Sequence, residues 1–134
     1  MGAWGTGIFD NDDAMDWVMR LDEDGREAVD EAIDAVLETA PEYLERDVGA
    51  GALAAAEVVA ALRGRPSTHL PPEVASWLAA HPDLTVTSEL VLKARRALDH
   101  ATNPGTSEVA ELWADAPRGT EWRALTEDLR ARLA

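Results

Sequence analysis

The chain has 134 residues, 46% of them apolar, which is enough for one continuous core and argues against disorder. Twenty-six acidic side chains outnumber twelve basic ones, a net charge of −14, so phosphate backbones and anionic lipid surfaces would repel the chain and neither nucleic acid nor membrane is an expected partner. Cysteine is absent, which removes disulfides and thiolate metal ligands, and with no leader-like or bilayer-length apolar stretch the expected compartment is the cytoplasm.

Residues 2–9, from Gly2 to Phe9, form a glycine-rich aromatic strip without helical period, expected to pack on the body of a single domain spanning 1–134. Asp10-Asn11-Asp12-Asp13 supplies cap chemistry for a short helix that turns Ala14, Trp17, Val18 and Leu21 to one side. Asp22 to Gly25 reads as its terminating turn. In the second helix Val29, Ala32, Ile33, Val36, Leu37 and Ala40 recur at i, i+3, i+4 spacing. Glu27, Asp30, Glu31, Asp34 and Glu38 make its opposite face acidic, and Pro41 closes the pattern.

The third helix, roughly 48–63 with Asp47 as its expected cap, is small or apolar on every side except at Glu57. An all-round apolar helix belongs at the centre of a bundle, and Gly64 followed by Arg65-Pro66 ends it. A fourth helix starts near Pro71-Pro72, carries Val74, Trp77 and Leu78, and stops before His81-Pro82. Thr87 or Ser88 caps a fifth with Leu90, Val91, Ala94, Ala97, Leu98 and Ala101 inward and Lys93, Arg95 and Arg96 outward, the latter group paired with acids such as Asp99. Two more helices run from Ser107 to about Asp115 and from Thr120 to the end of the chain, with Val109, Leu112, Trp113, Trp122, Leu125 and Leu129 as their apolar positions. Leu84 to Thr87 is the sole strand candidate. The expected fold is therefore all-α, a compact bundle of six to seven helices around an apolar central one.

Gly2 to Trp17, Ala55-Ala56-Glu57-Val58, Leu70-Pro71 to Trp77, and Ser107-Glu108-Val109 to Trp113 together resemble the bacterial family catalogued as domain of unknown function 4259. The one departure is Val109, where that pattern has leucine. The resemblance implies a small, mainly helical bacterial domain with no assigned activity, substrate or cofactor, so no catalytic residue is carried over from it.

Glu57 is the first candidate for chemistry. A lone carboxylate in an apolar helix must be hydrogen-bonded, ion-paired or protonated. The structural reading has it bound by backbone N–H groups of Gly2 to Gly7, by the indole of Trp4 or Trp17, or by an arginine. The functional reading makes it an acid or base in a cleft, working with a carboxylate from Asp10 to Asp16. Asp12, Asp13 and Asp16, with Asp10, could contact a cation, but the spacing does not fit a calcium loop and helix capping accounts for Asp10 to Asp13 more simply, so neither metal nor cofactor is expected. Gly5-Thr6-Gly7 lacks the lysine and spacing of a phosphate loop. His69, His81 and His100 show no metal-ligand spacing. Trp17, Trp77, Trp113 and Trp122 fit inner faces, whereas Trp4 is either a plug over the bundle, the favoured reading, or an exposed anchor for a partner.

With no strong catalytic constellation, the first functional expectation is a non-catalytic interaction or regulatory protein. It would bind a basic protein partner through the acidic helix face at 27–38 or a tryptophan-edged groove. An enzyme built on Glu57, or a small-ligand or metal binder, is the alternative. Oligomeric state is open.

Overall fold

Among the described residues, 3–40 and 42–134 in this computed structural model, seven helices and no strand form. Met1, Gly2 and Pro41, the expected stop of the second helix, lie outside them. The helices are α1 (Asp12–Asp24), α2 (Arg26–Thr39), α3 (Arg46–Leu62), α4 (Pro72–Ala80), α5 (Ser88–Ala101), α6 (Glu108–Ala114) and α7 (Gly119–Leu133).

The expected hub is present. Every residue of α3 from Gly49 to Ala60 is buried, and α3 touches each of the other six helices. Its alanines and glycines keep the helix thin, so its neighbours pack against it closely and fill the remaining space with their own larger side chains. Val29, Ile33 and Val36 of α2 and Leu90 and Leu98 of α5 supply much of that filling. Each Val, Leu or Ile buried this way contributes about 1.5–3 kcal/mol relative to exposure.

Local signals set most helix ends. Asn11 caps α1, its side-chain oxygen accepting the Ala14 N–H at 2.8 Å, and Thr87 accepts from Leu90 at the start of α5. Gly64, at φ 88°, lets the Arg65 N–H reach the Ala60 carbonyl (2.9 Å) while its own N–H reaches Ala61 (3.0 Å), closing α3 by paired C-terminal bonds. The acidic run at Asp22 to Asp24 is helical rather than a turn, and Gly25 alone, at φ 63°, makes the break to α2.

The start of α3 departs from expectation for a tertiary reason. Asp47 is not its cap, because its carboxylate turns to the Val48 N–H while the helix begins at Arg46. Glu108, from α6, accepts the Arg46 backbone N–H at 2.8 Å and so caps α3 from across the fold. Leu84 to Thr87 forms no strand: the Leu84 N–H closes a turn onto the His81 carbonyl, and Thr87 is extended as the cap of α5. Leu84 and Val86 lie against the core, and the described β pairing is limited to isolated bridges between Ala3 and Asn11 and between Leu44 and Ser107. Leu112 is more exposed than its spacing suggests, since the short α6 turns Val109 and Ala110 inward. Trp113 is half-buried and stacks on Trp122 at 6.2 Å.

Candidate functional site

Glu57 sits on the face of α3 that meets α7, and its partner is an arginine. Both carboxylate oxygens accept from the Arg132 guanidinium, at 2.7 and 3.0 Å, forming a two-pronged pair with Glu57 only 4% exposed. Arg132 also donates through Nε to Asp128 at 2.8 Å, one turn earlier in α7, and to the Arg65 carbonyl just past α3. Burial works against the Arg132 charge, but the bonds from Glu57 and Asp128 outweigh it and hold the guanidinium pKa above its ordinary value. The pair thereby ties the end of α7 to the middle of α3.

The described part of the amino-terminal strip runs beside this pair, and among the described residues none of it bonds to Glu57 or Arg132. Gly7 to Asp10, with Glu57, His69, Asp128 and Arg132, border a cleft of about 260 Å³. Asp10 organises the strip. Its carboxylate accepts the Gly7 N–H at 3.0 Å, its own N–H donates to the Gly7 carbonyl, and its carbonyl accepts the Trp4 N–H. A Cβ at Gly5 or Gly7 would lie 2.6 Å from the Asp10 carboxylate, so a side chain at either position would have to displace the group that organises the strip. Ile8 and Phe9 are the side chains that close over the core.

Trp4 is not the plug: it is 62% exposed. The bond from its backbone to Asp10 fixes the strip so that Ile8 and Phe9 enter the core and Trp4 points away from it. Nor does Trp17 serve Glu57, since its indole N–H donates to the Ala28 carbonyl at the α1–α2 junction.

The amino-terminal carboxylates have separate surroundings. Asp12 and Asp16 are exposed, whereas Asp13 accepts from Arg46 at 2.8 Å, an ion pair between the start of α1 and the start of α3. Asp13 and Asp16 border a shallow groove of about 450 Å³ with Glu31 and Asp47, where Arg20 pairs with Glu31. No group of three carboxylate or imidazole side chains among the described residues converges as a metal site. On the acidic face of α2, Asp30, Glu31 and Asp34 each meet a cation, namely Arg26, Arg20 and Lys93. Lys93 thus pairs with Asp34, and the expected partner Asp99 takes Arg130 instead, because α5 packs on α2 on one side and on α7 on the other.

A wider groove, about 930 Å³, lies between α1 and α4. Met15, Val18, Leu21 and Trp77 form its apolar floor, and Met19 stands 64% exposed at its edge. His81 stacks on Trp77 at 4.4 Å and its Nδ1 meets the Trp77 carbonyl at 2.7 Å, so that nitrogen carries the proton. Asp22, Glu23, Asp24 and Glu73 line the rim, and none of the four has an ion-pair partner among the described residues. Sequence reasoning missed this composition. Its signal was the i, i+4 spacing of Met15 with Met19 and of Trp77 with His81, each a second strip beside the core-facing one.

These features define a compact, all-α helical protein whose single buried carboxylate is an ion-paired tether. The family model described as Domain of unknown function (DUF4259) matches residues 2–125, and the chain belongs to that family. No curated protein and no solved structure matches it.

Proposed function

We propose that this protein is a non-catalytic interaction module for a basic protein partner. The carrying observation is the α1–α4 groove, where an apolar floor is bordered by four carboxylates that the fold leaves without cations. Three of them, Asp22, Glu23 and Asp24, stand at the C-terminal end of α1, where the helix dipole is already negative and no basic residue offsets it. That arrangement costs the free protein stability, about 0.3–1 kcal/mol per charge at an exposed helix end. A cationic partner would relieve it. The acidic face of α2 is a weaker candidate because three of its five carboxylates, Asp30, Glu31 and Asp34, already meet Arg26, Arg20 and Lys93.

An acid–base role for Glu57 has less support. The cleft beside it is present, but both Glu57 oxygens are committed to Arg132, so taking up a proton there would require breaking the pair. Asp10 is likewise engaged by the Gly7 N–H.

Affinity capture from the native host, with the bound protein identified and eluted along a salt gradient, tests the reading. The expected result is a basic protein released by modest salt. Capture of an acidic protein, binding indifferent to salt, or no specific capture would overturn it.

A further inference from the structure

We infer that the α1–α4 groove takes a short amphipathic, basic helix of the partner, seating apolar anchors on Met15 and Met19 with lysines or arginines against Asp22, Asp24 and Glu73. The inference rests on the basic-partner reading and adds the shape of the ligand and the place where it binds.

Backbone accounting favours a helix over an extended segment. Both walls are helices whose N–H and C=O groups bond within themselves, so the groove offers no open edge to a strand. An extended peptide pressed onto the apolar floor would bury its own backbone groups without partners, at about 1–3 kcal/mol for each. A helix satisfies its own backbone and presents side chains alone.

Length fits too. α4 has nine residues, which at 1.5 Å per residue makes a wall of about 13 Å. That accommodates two to three turns of a partner helix, with anchors at i, i+3 or i+4, and i+7. The floor is suited to such anchors. Met15 and Met19 have unbranched, adaptable side chains that mould to different apolar shapes, and the buried Trp77, stacked on His81, backs them.

Charge selects the partner's polar residues. Glu73 stands in the first turn of α4, and Asp22 to Asp24 at the last turn of α1, so both walls bring negative charge to the rim. No lysine or arginine lines the groove. An acidic amphipathic helix would meet like charge from both walls, so the same carboxylates that attract a basic helix suppress an acidic one.

The chain carries its own reporters. It has three methionines, of which Met15 and Met19 border the groove, so ¹³C-methyl methionine spectra read the site directly. The probe is a synthetic leucine–lysine peptide with amphipathic helical spacing, compared with a scramble of equal composition and with a leucine–glutamate version. The expected result is saturable shifts of the Met15 and Met19 methyls with the amphipathic basic peptide, induced helicity in that peptide, and binding at least tenfold weaker for both controls. Asp22→Lys/Asp24→Lys/Glu73→Lys should weaken binding at least tenfold. Met19→Glu, a change at an exposed side chain, should do so while leaving the melting temperature unchanged.

Silent Met15 and Met19 methyls, equal binding of the scramble, a peptide that binds without becoming helical, or self-association through this face would each overturn the assignment. The two readings fail separately. A basic partner captured from the host by both the wild type and the Lys triple variant would leave the basic-partner reading standing and remove the groove.

Discussion

Replacing Glu57 by alanine removes one half of a pair that the fold has taken out of water. The lost group accepts two hydrogen bonds, and Arg132 is left with a side chain only 14% exposed. Breaking a buried pair from one side costs about 3–5 kcal/mol, because the remaining charge is neither solvated nor matched. Arg132 keeps Asp128, itself 61% exposed, and the Arg65 carbonyl, so the lower end of that range, about 3 kcal/mol, is expected. For a chain of this size the corresponding fall in melting temperature is on the order of 10 °C. Arg132→Ala should cost at least as much, since it strands a carboxylate that is 4% exposed. The discriminating variant is Glu57→Leu/Arg132→Met, which replaces both charges with apolar groups and should recover most of the loss. Thermal and urea unfolding followed by circular dichroism measure all four proteins. If Glu57→Ala lies within about 0.5 kcal/mol of the wild type, or if the double replacement is less stable than either single change, the tether account is wrong.

Tyr43 offers a separate test, because it is the only tyrosine and its ionisation can be followed by absorbance. Its hydroxyl donates to Glu111 at 2.7 Å, and that bond, with burial and the nearby acids, raises its pKa from 10.0 to about 12. The neutral phenol is favoured in the folded state, so its contribution to stability is complete below pH 10 and is lost as pH rises towards 12; Glu111→Gln should return the absorbance midpoint towards 10. Gly7→Ala should destabilise by about 1–2 kcal/mol by displacing the Asp10 carboxylate, yet add little on top of Asp10→Ala, and additive losses in urea unfolding would contradict the glycine argument. Trp4→Ala should change stability by less than about 0.5 kcal/mol, whereas Trp17→Ala, which empties a buried site, should cost about 3–5 kcal/mol; equal losses would refute the outward placement of Trp4.

Much of the fold could be read locally. The i, i+3, i+4 recurrence in α2 and α5, the all-round apolar α3, the caps at Asn11 and Thr87 and the glycine stop at Gly64 act within one or two turns, so their consequences are written in neighbouring residues. The family resemblance spanned the same ground. Sequence also made Glu57 conspicuous, because one carboxylate in an apolar helix demands a partner somewhere.

Which partner it finds was a matter for the tertiary structure. Arg132 lies 75 residues away, and nothing local distinguishes it from Arg130, two residues earlier, which pairs with Asp99 and Glu127. Long-range packing likewise moved the cap of α3 from Asp47 to Glu108, gave Lys93 to Asp34, and put Ile8 and Phe9 where Trp4 was expected. The α1–α4 groove belongs to the same class: periodicity says which side of a helix is apolar, but whether a second strip is covered depends on where the neighbouring helices end. α4 is nine residues long, and Met19 beside it remains exposed.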